Sequence, residues 1–421
     1  MFIALLSELF SLSLNRFFVY RMKPIQTTLF ALALLFFSAK MYAQNFYRAE
    51  RSVLSAMEMK RGELSLDVEA EAFFRNNEYA NSIIADYTLP GYRAAFDLTY
   101  DLKSVIPVRL SLGAENLYFF GASKYPAAIA YNDLPYWKDE NPYTRFRIKP
   151  RFRAAMAPSK EWLIILGRLE GLGRHKLIEP LFHSELNLTS DFENGFQLRY
   201  DTPRRHFDLW IDWQSFIFKH ATHPEAFVAG ANLRQRLFTA HTESKQALDL
   251  SLQFIAHHRG GKLNDIHPDT VHTWVNAAVG AVHTIPGLIR NRYTLKSEAY
   301  LLGYSQRGGH FASDKGWGAY GKMTLESESV QLFGSLWYGK GFLGVLGSPF
   351  VQSIDRHGAF YNADRSLAFG QIGASYKIVE RNLYTFGAEA SLWIHPQASS
   401  LTSHHLGVYI SVSPSFLLKR F

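Results

Sequence analysis

Arg145-Phe146-Arg147-Ile148-Lys149-Pro150-Arg151-Phe152-Arg153 is the stretch on which the reading of this chain turns. Every odd position is basic and every even position is apolar. Side chains of a strand point alternately to its two faces. One face of this strand is therefore a row of cations, and the other is greasy. Like charges in a row are costly in a packed core and tolerable against water. The strand has water on one side and either protein core or lipid on the other.

The same period of two recurs along the chain. Leu64, Leu66, Val68, Ala70 and Ala72 alternate with Glu63, Ser65, Asp67, Glu69 and Glu71. Tyr92, Phe96, Leu98 and Tyr100 alternate with Arg93, Asp97, Thr99 and Asp101. Comparable segments surround Leu209, Leu252, Met323 and Val408. Around Trp162 to Leu169 both phases are apolar, which leaves the faces unassigned.

The connections carry more information than the strands. Short links at Lys103–Ile106, Ala157–Lys160, Asp201–Arg205, Thr284–Gly287, Glu326–Glu328 and Glu380–Asn382, with a somewhat longer one around Thr239–Gln246, alternate with long ones. The long links are Arg75–Gly91, Glu115–Pro142, Glu170–Ser190, Lys219–Glu225, His258–Thr270, Ser305–Lys315, Gly339–Arg365 and His395–His404. A soluble sandwich does not call for such alternation, and a propeller would show a repeat of about 40–50 residues that is absent here. Transmembrane barrels have short periplasmic turns and longer external loops. The pattern predicts an all-β, antiparallel up-and-down transmembrane barrel of about sixteen strands over residues 63–421.

The front of the chain agrees with export. Lys23 and the apolar run Thr27 to Phe37 have the layout of a secretory signal. Residues 1–43 are read as the signal, with Met22 as an alternative start and Ala43 or Ala39 as the cleavage site. Residues 44–62 are read as a short periplasmic segment. The chain has no cysteine, so no disulfide supports the fold. Its 45 Lys and Arg stand against 37 Asp and Glu, a mild excess. No nucleic-acid recognition motif accompanies it.

On this pattern the chain resembles a Gram-negative outer-membrane β-barrel of the porin-like type. Barrels of this kind end in an alternating strand with an aromatic that the barrel-assembly machinery reads. Here Phe416 lies in phase with Leu406 and Val412, while the terminal Phe421 does not. Pro414 must sit at a strand end or a bulge. The resemblance implies contact with outer-membrane lipid and lipopolysaccharide, and a homo-oligomer as its usual assembly.

A barrel of this size leaves an aqueous bore. Arg109, Arg145, Arg147, Lys149, Arg151 and Arg153 would line a basic sector, and Glu63, Asp67, Glu69, Glu71, Asp97 and Asp101 an acidic one. The expected function is passive passage of small polar or anionic solutes through a polarised lumen. An acidic-glycan export barrel and a non-conducting surface receptor or adhesin are the alternatives. Pairing of these charges with one another is the competing structural reading. The apolar loop 339–365 is expected to fold into the lumen or onto its neighbours.

No catalytic residue is assigned, and no enzyme activity is expected. There is no H-E-x-x-H, no G-x-S-x-G and no calcium-loop spacing, so no metal or cofactor is expected. His257-His258 and His404-His405 are the densest histidine pairs, but neighbours on a strand face opposite ways.

Overall fold

The structure is a computed structural model that describes residues 61–121, 124–125, 143–144, 148–217, 224–239, 246–261, 271–309, 311–380 and 384–421. Sixteen antiparallel strands form its wall. They are β1 (Glu63–Glu78), β2 (Tyr87–Asp101), β3 (Val108–Phe119), β4 (Ile148–Met156), β5 (Trp162–Arg168), β6 (Asn194–Asp201), β7 (Arg205–Ser215) and β8 (Ala226–Thr239). There follow β9 (Ala247–Arg259), β10 (His272–Gly287), β11 (Tyr293–Arg307), β12 (Lys315–Glu326), β13 (Val330–Lys340), β14 (Ser366–Glu380) and β15 (Tyr384–Ile394). The last, β16, runs as Thr402–Val412 and resumes as Ser415–Arg420.

Each strand pairs with the next, and β1 pairs with both parts of β16, which closes the sheet. Pro414, which has no N–H, sits in the gap of β16. Its carbonyl still accepts the Val68 N–H at 3.0 Å, so the seam continues across the break. The link expected at Thr284–Gly287 is instead the end of β10, and the turn is Leu288–Asn291. Pro286 reads as a turn signal but is tolerated at a strand end. Gly287, at φ 77°, makes the corner.

The outer face is apolar all the way round. Phe74, Phe96, Leu112, Phe152, Leu166, Phe196, Leu252, Val279, Leu301, Met323, Ile372, Phe386 and Val408 are all exposed. A soluble monomer rarely exposes more than a few hundred Å² of contiguous apolar surface. This belt encircles the whole barrel, so lipid covers it. Aromatic groups mark its two edges. Tyr92, Tyr118 and Phe120 pack together toward the long loops. Trp162 packs on Tyr200 and Tyr100 on Phe421 at the short-turn end. The protein is a closed transmembrane barrel of sixteen strands.

The lumen is filled in its outer half, and the apolar loop 339–365 contributes to the filling of what would otherwise be an aqueous bore. Segments 169–193 and 341–365 fold inward from the long-loop end. Leu172, Ile178, Leu181, Phe182 and Leu186 from the first meet Phe342, Leu343, Leu346, Phe350 and Val351 from the second. Both pack against inward side chains of the wall, among them Trp274, Tyr304, Trp337, Phe369 and Trp393. This explains β5, whose two faces were both apolar in sequence. Leu163 and Ile165 face a small inner core with Leu169 and Trp210, while Leu166 faces lipid.

His175 fastens the first segment to the wall. Its ring stacks on Trp210 at 3.5 Å. Nδ1 lies 2.7 Å from an Asp208 carboxylate oxygen and Nε2 lies 2.8 Å from Glu193. Burial alone would lower the pKa of this imidazole. The Glu193 and Asp208 carboxylates outweigh it and raise the pKa to about 10.

Two outcomes follow. Leu301→Arg places a charge in the middle of the lipid face and should destabilise the barrel by about 2–4 kcal/mol in reversible folding into vesicles. Because the folded pKa of His175 is raised, its contribution is complete below about 6.5 and lost as pH climbs through about 10. The Tm gap between wild type and His175→Ala should therefore be widest near pH 6 and close toward pH 10.

Candidate functional site

The charged residues singled out in the sequence lie on adjacent strands. Glu63, Glu71, Asp97, Asp101, Arg109, Arg151 and Arg153 face the interior and are buried, while Asp67, Glu69 and Lys149 are half-buried there. Arg145 and Arg147 lie outside the described residues. In an up-and-down barrel, strand order follows sequence order, so acidic β1 and β2 adjoin basic β3 and β4. The charges consequently neutralise one another at close range.

Arg151 reaches Asp97 at 3.0 Å, Glu69 at 3.1 Å and Glu115 at 3.7 Å. Arg168 shares Glu69 at 3.1 Å, and Arg93 holds Glu115 at 2.8 Å. Arg109 grips Asp101 through two bonds of 2.8 Å. Arg153 donates to the carbonyls of Arg168 and Leu169, and Lys149 pairs with Asp191. The separate acidic and basic walls drawn from the sequence are corrected by this geometry to one interleaved network. At the seam Arg420 pairs with Glu63, Phe416 stands outward opposite Leu66, and Phe421 packs on Tyr100.

A second inward cluster lies near the outer mouth. Arg75 contacts Glu185 at 3.2 Å, His405 at 3.0 Å and Glu389 at 3.5 Å. Tyr87 and Asn77 also donate to Glu185. Nearby, His395 Nε2 and Ser403 Oγ are 3.0 Å apart. Burial lowers the His395 pKa to about 4, so its ring is neutral and reluctant to take up a proton. The pair lacks the third member of a hydrolytic triad, because no hydrogen-bond partner for His395 Nδ1 is seen among the described residues. Phe350 stacks over the ring at 5.2 Å, and both residues are fully buried. A lipid in the surrounding leaflet has no approach to them.

The outside of the same strands is different. Alternation puts Asn76 and Glu78 of β1, Thr88 of β2 and His404 of β16 on the lipid-facing side. Glu78 stands directly opposite His404, and Asn76 stands opposite Thr88. Asn76 Nδ2 donates to Glu78 at 3.1 Å, and the Thr88 hydroxyl donates to Asn76 Oδ1 at 3.0 Å. One step down the strands the outward residues are Phe74, Pro90 and Leu406, with the Tyr92–Tyr118–Phe120 group beside them. Hydroxyl, amide and carboxylate are thus bonded in a row where the apolar belt ends, and His404 stands across from the carboxylate on the neighbouring strand. His404-His405 had stood out in sequence; the strand sends His404 outward and His405 into the Arg75 cluster. The other three members carry no sequence signature, since Asn76, Glu78 and Thr88 read as ordinary loop-flanking polar residues. Among the described residues no group of acidic and histidine side chains is arranged to hold a metal ion.

The barrel is similar to solved outer-membrane proteins at low identity. OccAB3 of Acinetobacter baumannii matches with 10% identity over 84% of this chain and 99% of that one, at a TM-score of 0.45. OccK5 (OpdH) of Pseudomonas aeruginosa matches with 11% identity over 84% and 98%, at a TM-score of 0.48. No curated protein matches the sequence. One finding overturns the expectation that this barrel is not an enzyme. The model of a family described as lipid A 3'-O-deacylase-type matches residues 56–421, and the chain belongs to that family.

Proposed function

We propose that the protein is an outer-membrane acyl-ester hydrolase that acts on an acylated glycolipid of the lipid A type. The observation that carries this reading is the outward cluster of Asn76, Glu78, Thr88 and His404 at the upper edge of the apolar belt. Polar side chains on a lipid-facing surface are costly and mark function when they gather. The headgroup and ester bonds of a leaflet lipid lie beside this edge, so the substrate reaches the cluster without leaving the membrane.

The chemistry available is general acid–base catalysis. His404 is the proton acceptor for an attacking water, and Glu78 opposite it stabilises the imidazolium that results. Asn76, fixed by Thr88 and Glu78, offers an amide N–H to the developing oxyanion. The inner Ser403–His395 pair serves the fold in this reading.

A second reading is favoured by the size of the closed wall, since sixteen strands enclose a bore wider than their own side chains fill. It is that the lumen passes small polar or anionic solutes, or an acidic glycan, past the ion-paired residues Arg151, Arg153 and Lys149. The two readings predict different losses. Incubation of the purified barrel with lipid A, followed by mass spectrometry, should show release of an acyl chain. His404→Ala should lower kcat about 100-fold or more, and Glu78→Gln should lower it less, with the folded barrel retained on gels. Full release by both variants would remove the cluster from catalysis. For the second reading, Arg151→Glu should reduce anion preference in single-channel recordings; an unchanged preference would exclude a selective basic wall.

A further inference from the structure

We propose that segments 169–193 and 341–365 are a single latched plug, and that its withdrawal opens an aqueous path for small polar solutes through the barrel. The inference rests on the channel reading and is independent of the hydrolase reading.

The two segments are bonded to each other as one body. Phe182 and Leu346 form a parallel bridge. The His183 N–H donates to the Leu346 carbonyl at 2.7 Å, and the Ser348 N–H donates to the Glu179 carbonyl at 3.0 Å. The seam is tight: a Cβ added at Gly347 would lie 1.9 Å from the Pro180 carbonyl oxygen. Only glycine permits that approach.

The attachment of this body to the wall is of another kind. Besides the shared apolar core and the polar anchors His175–Asp208 and Glu185–Arg75, it includes wall side chains that grip plug backbone. Asn276 of β10 donates to the Leu343 carbonyl and accepts from the Val345 N–H, each at 2.8 Å. Gln253 of β9 accepts from the Ile178 N–H at 2.9 Å and donates to the Lys176 carbonyl at 3.3 Å. Asn232 of β8 donates to the His175 carbonyl at 2.8 Å. Arg93 of β2 donates to the Ser190 carbonyl at 2.6 Å. At the outer edge the Arg356 N–H donates to the Ser82 carbonyl at 3.0 Å, which ties the plug to the first external loop. These clamps can open without breaking a rung of the sheet.

The wall does not need the plug to close. Its ladder is continuous from β1 round to β16, and a sheet of sixteen strands encloses a bore wider than its own side chains fill. Withdrawal would leave a passage with the ion-paired sector of β1 to β7 on one side. Trp274, Tyr304, Trp337 and Trp393, now covered by the plug, would form the other side. A solute with a polar edge and a flat apolar face matches such a lining.

The test combines conductance with a thiol reporter, since the chain has no cysteine of its own. The full-length barrel carrying Leu346→Cys is placed in planar bilayers and, in parallel, exposed to a membrane-impermeant maleimide. The plugged barrel should be closed and unlabelled. Asn276→Ala with Gln253→Ala should raise both open probability and labelling by roughly tenfold or more, the scale expected for losing several buried hydrogen bonds. Gly347→Ala, which splits the seam without touching the wall, should do the same and serves where the double variant fails to assemble. A rise in labelling without conductance would overturn the conduit and with it the channel reading. A parent barrel that already conducts with residue 346 unlabelled would overturn the plug while sparing the channel reading. Variants that change neither quantity would overturn the latch.

Discussion

A strand in lipid must have every backbone N–H and C=O paired, because hydrocarbon offers no substitute partner. That constraint organises this protein. It requires the sheet to return on itself, so that residues from the start of the wall pair with residues from its end. It explains how a proline is accommodated in the closing strand: Pro414 stands in a gap of two residues while its carbonyl still serves Val68. Closure in turn fixes the inside and the outside of every strand. One phase must be apolar over the full circumference, and the chain supplies Phe, Leu, Ile, Val and Met there.

The interior is left with a different problem. Sixteen strands enclose more space than their own side chains can fill. Two solutions are used side by side. Against β1 to β7 the space is taken up by arginine and carboxylate pairs, with Arg151 meeting three carboxylates, which is what makes buried charge tolerable. Against β8 to β15 it is taken up by aromatic side chains and two folded-in loops. The boundary between these regions is held by uncharged amides on the wall, which satisfy loop backbone that would otherwise be buried without partners. The outcome is a rigid cylinder whose outer rim can hold Asn76, Glu78, Thr88 and His404 in fixed relation.

The architecture was legible because its signals are local and repetitive. Alternation at Leu64–Ala72 names both faces of β1, and the long and short links name the two ends of the barrel. Interior contents were less legible. Gly339–Arg365 reads as a loop too apolar to lie in water, yet nothing in it names Pro180 or Asn276 as its neighbours. The ladder at Lys149–Arg153 reads as a wall facing water. Its partners, Glu69, Asp97 and Glu115, become visible only once β1 to β4 are set side by side. The rim cluster was the least legible of all. Its four members come from three strands that meet at the seam, more than 300 positions apart in the case of Glu78 and His404, and no spacing rule spans such a distance. The enzymatic character of the family was likewise missed, since the usual hydrolase motifs are absent.

Following the strands in order exposes an asymmetry in how the chain reaches this state. Partners in the ionic sector are mostly close in sequence, as Arg109 is to Asp101 and Arg93 to Glu115. Contacts of that sort can form while the rest of the chain is still arriving. The seam is the reverse extreme, with Arg420 meeting Glu63 across a separation of 357 residues. Until those last residues dock, β1 is an unpaired edge in or beside a bilayer, the state in which a sheet is most prone to wrong partners. Both parts of β16 therefore have a chaperoning consequence out of proportion to their length: together they end the interval during which this protein can be captured by a neighbour.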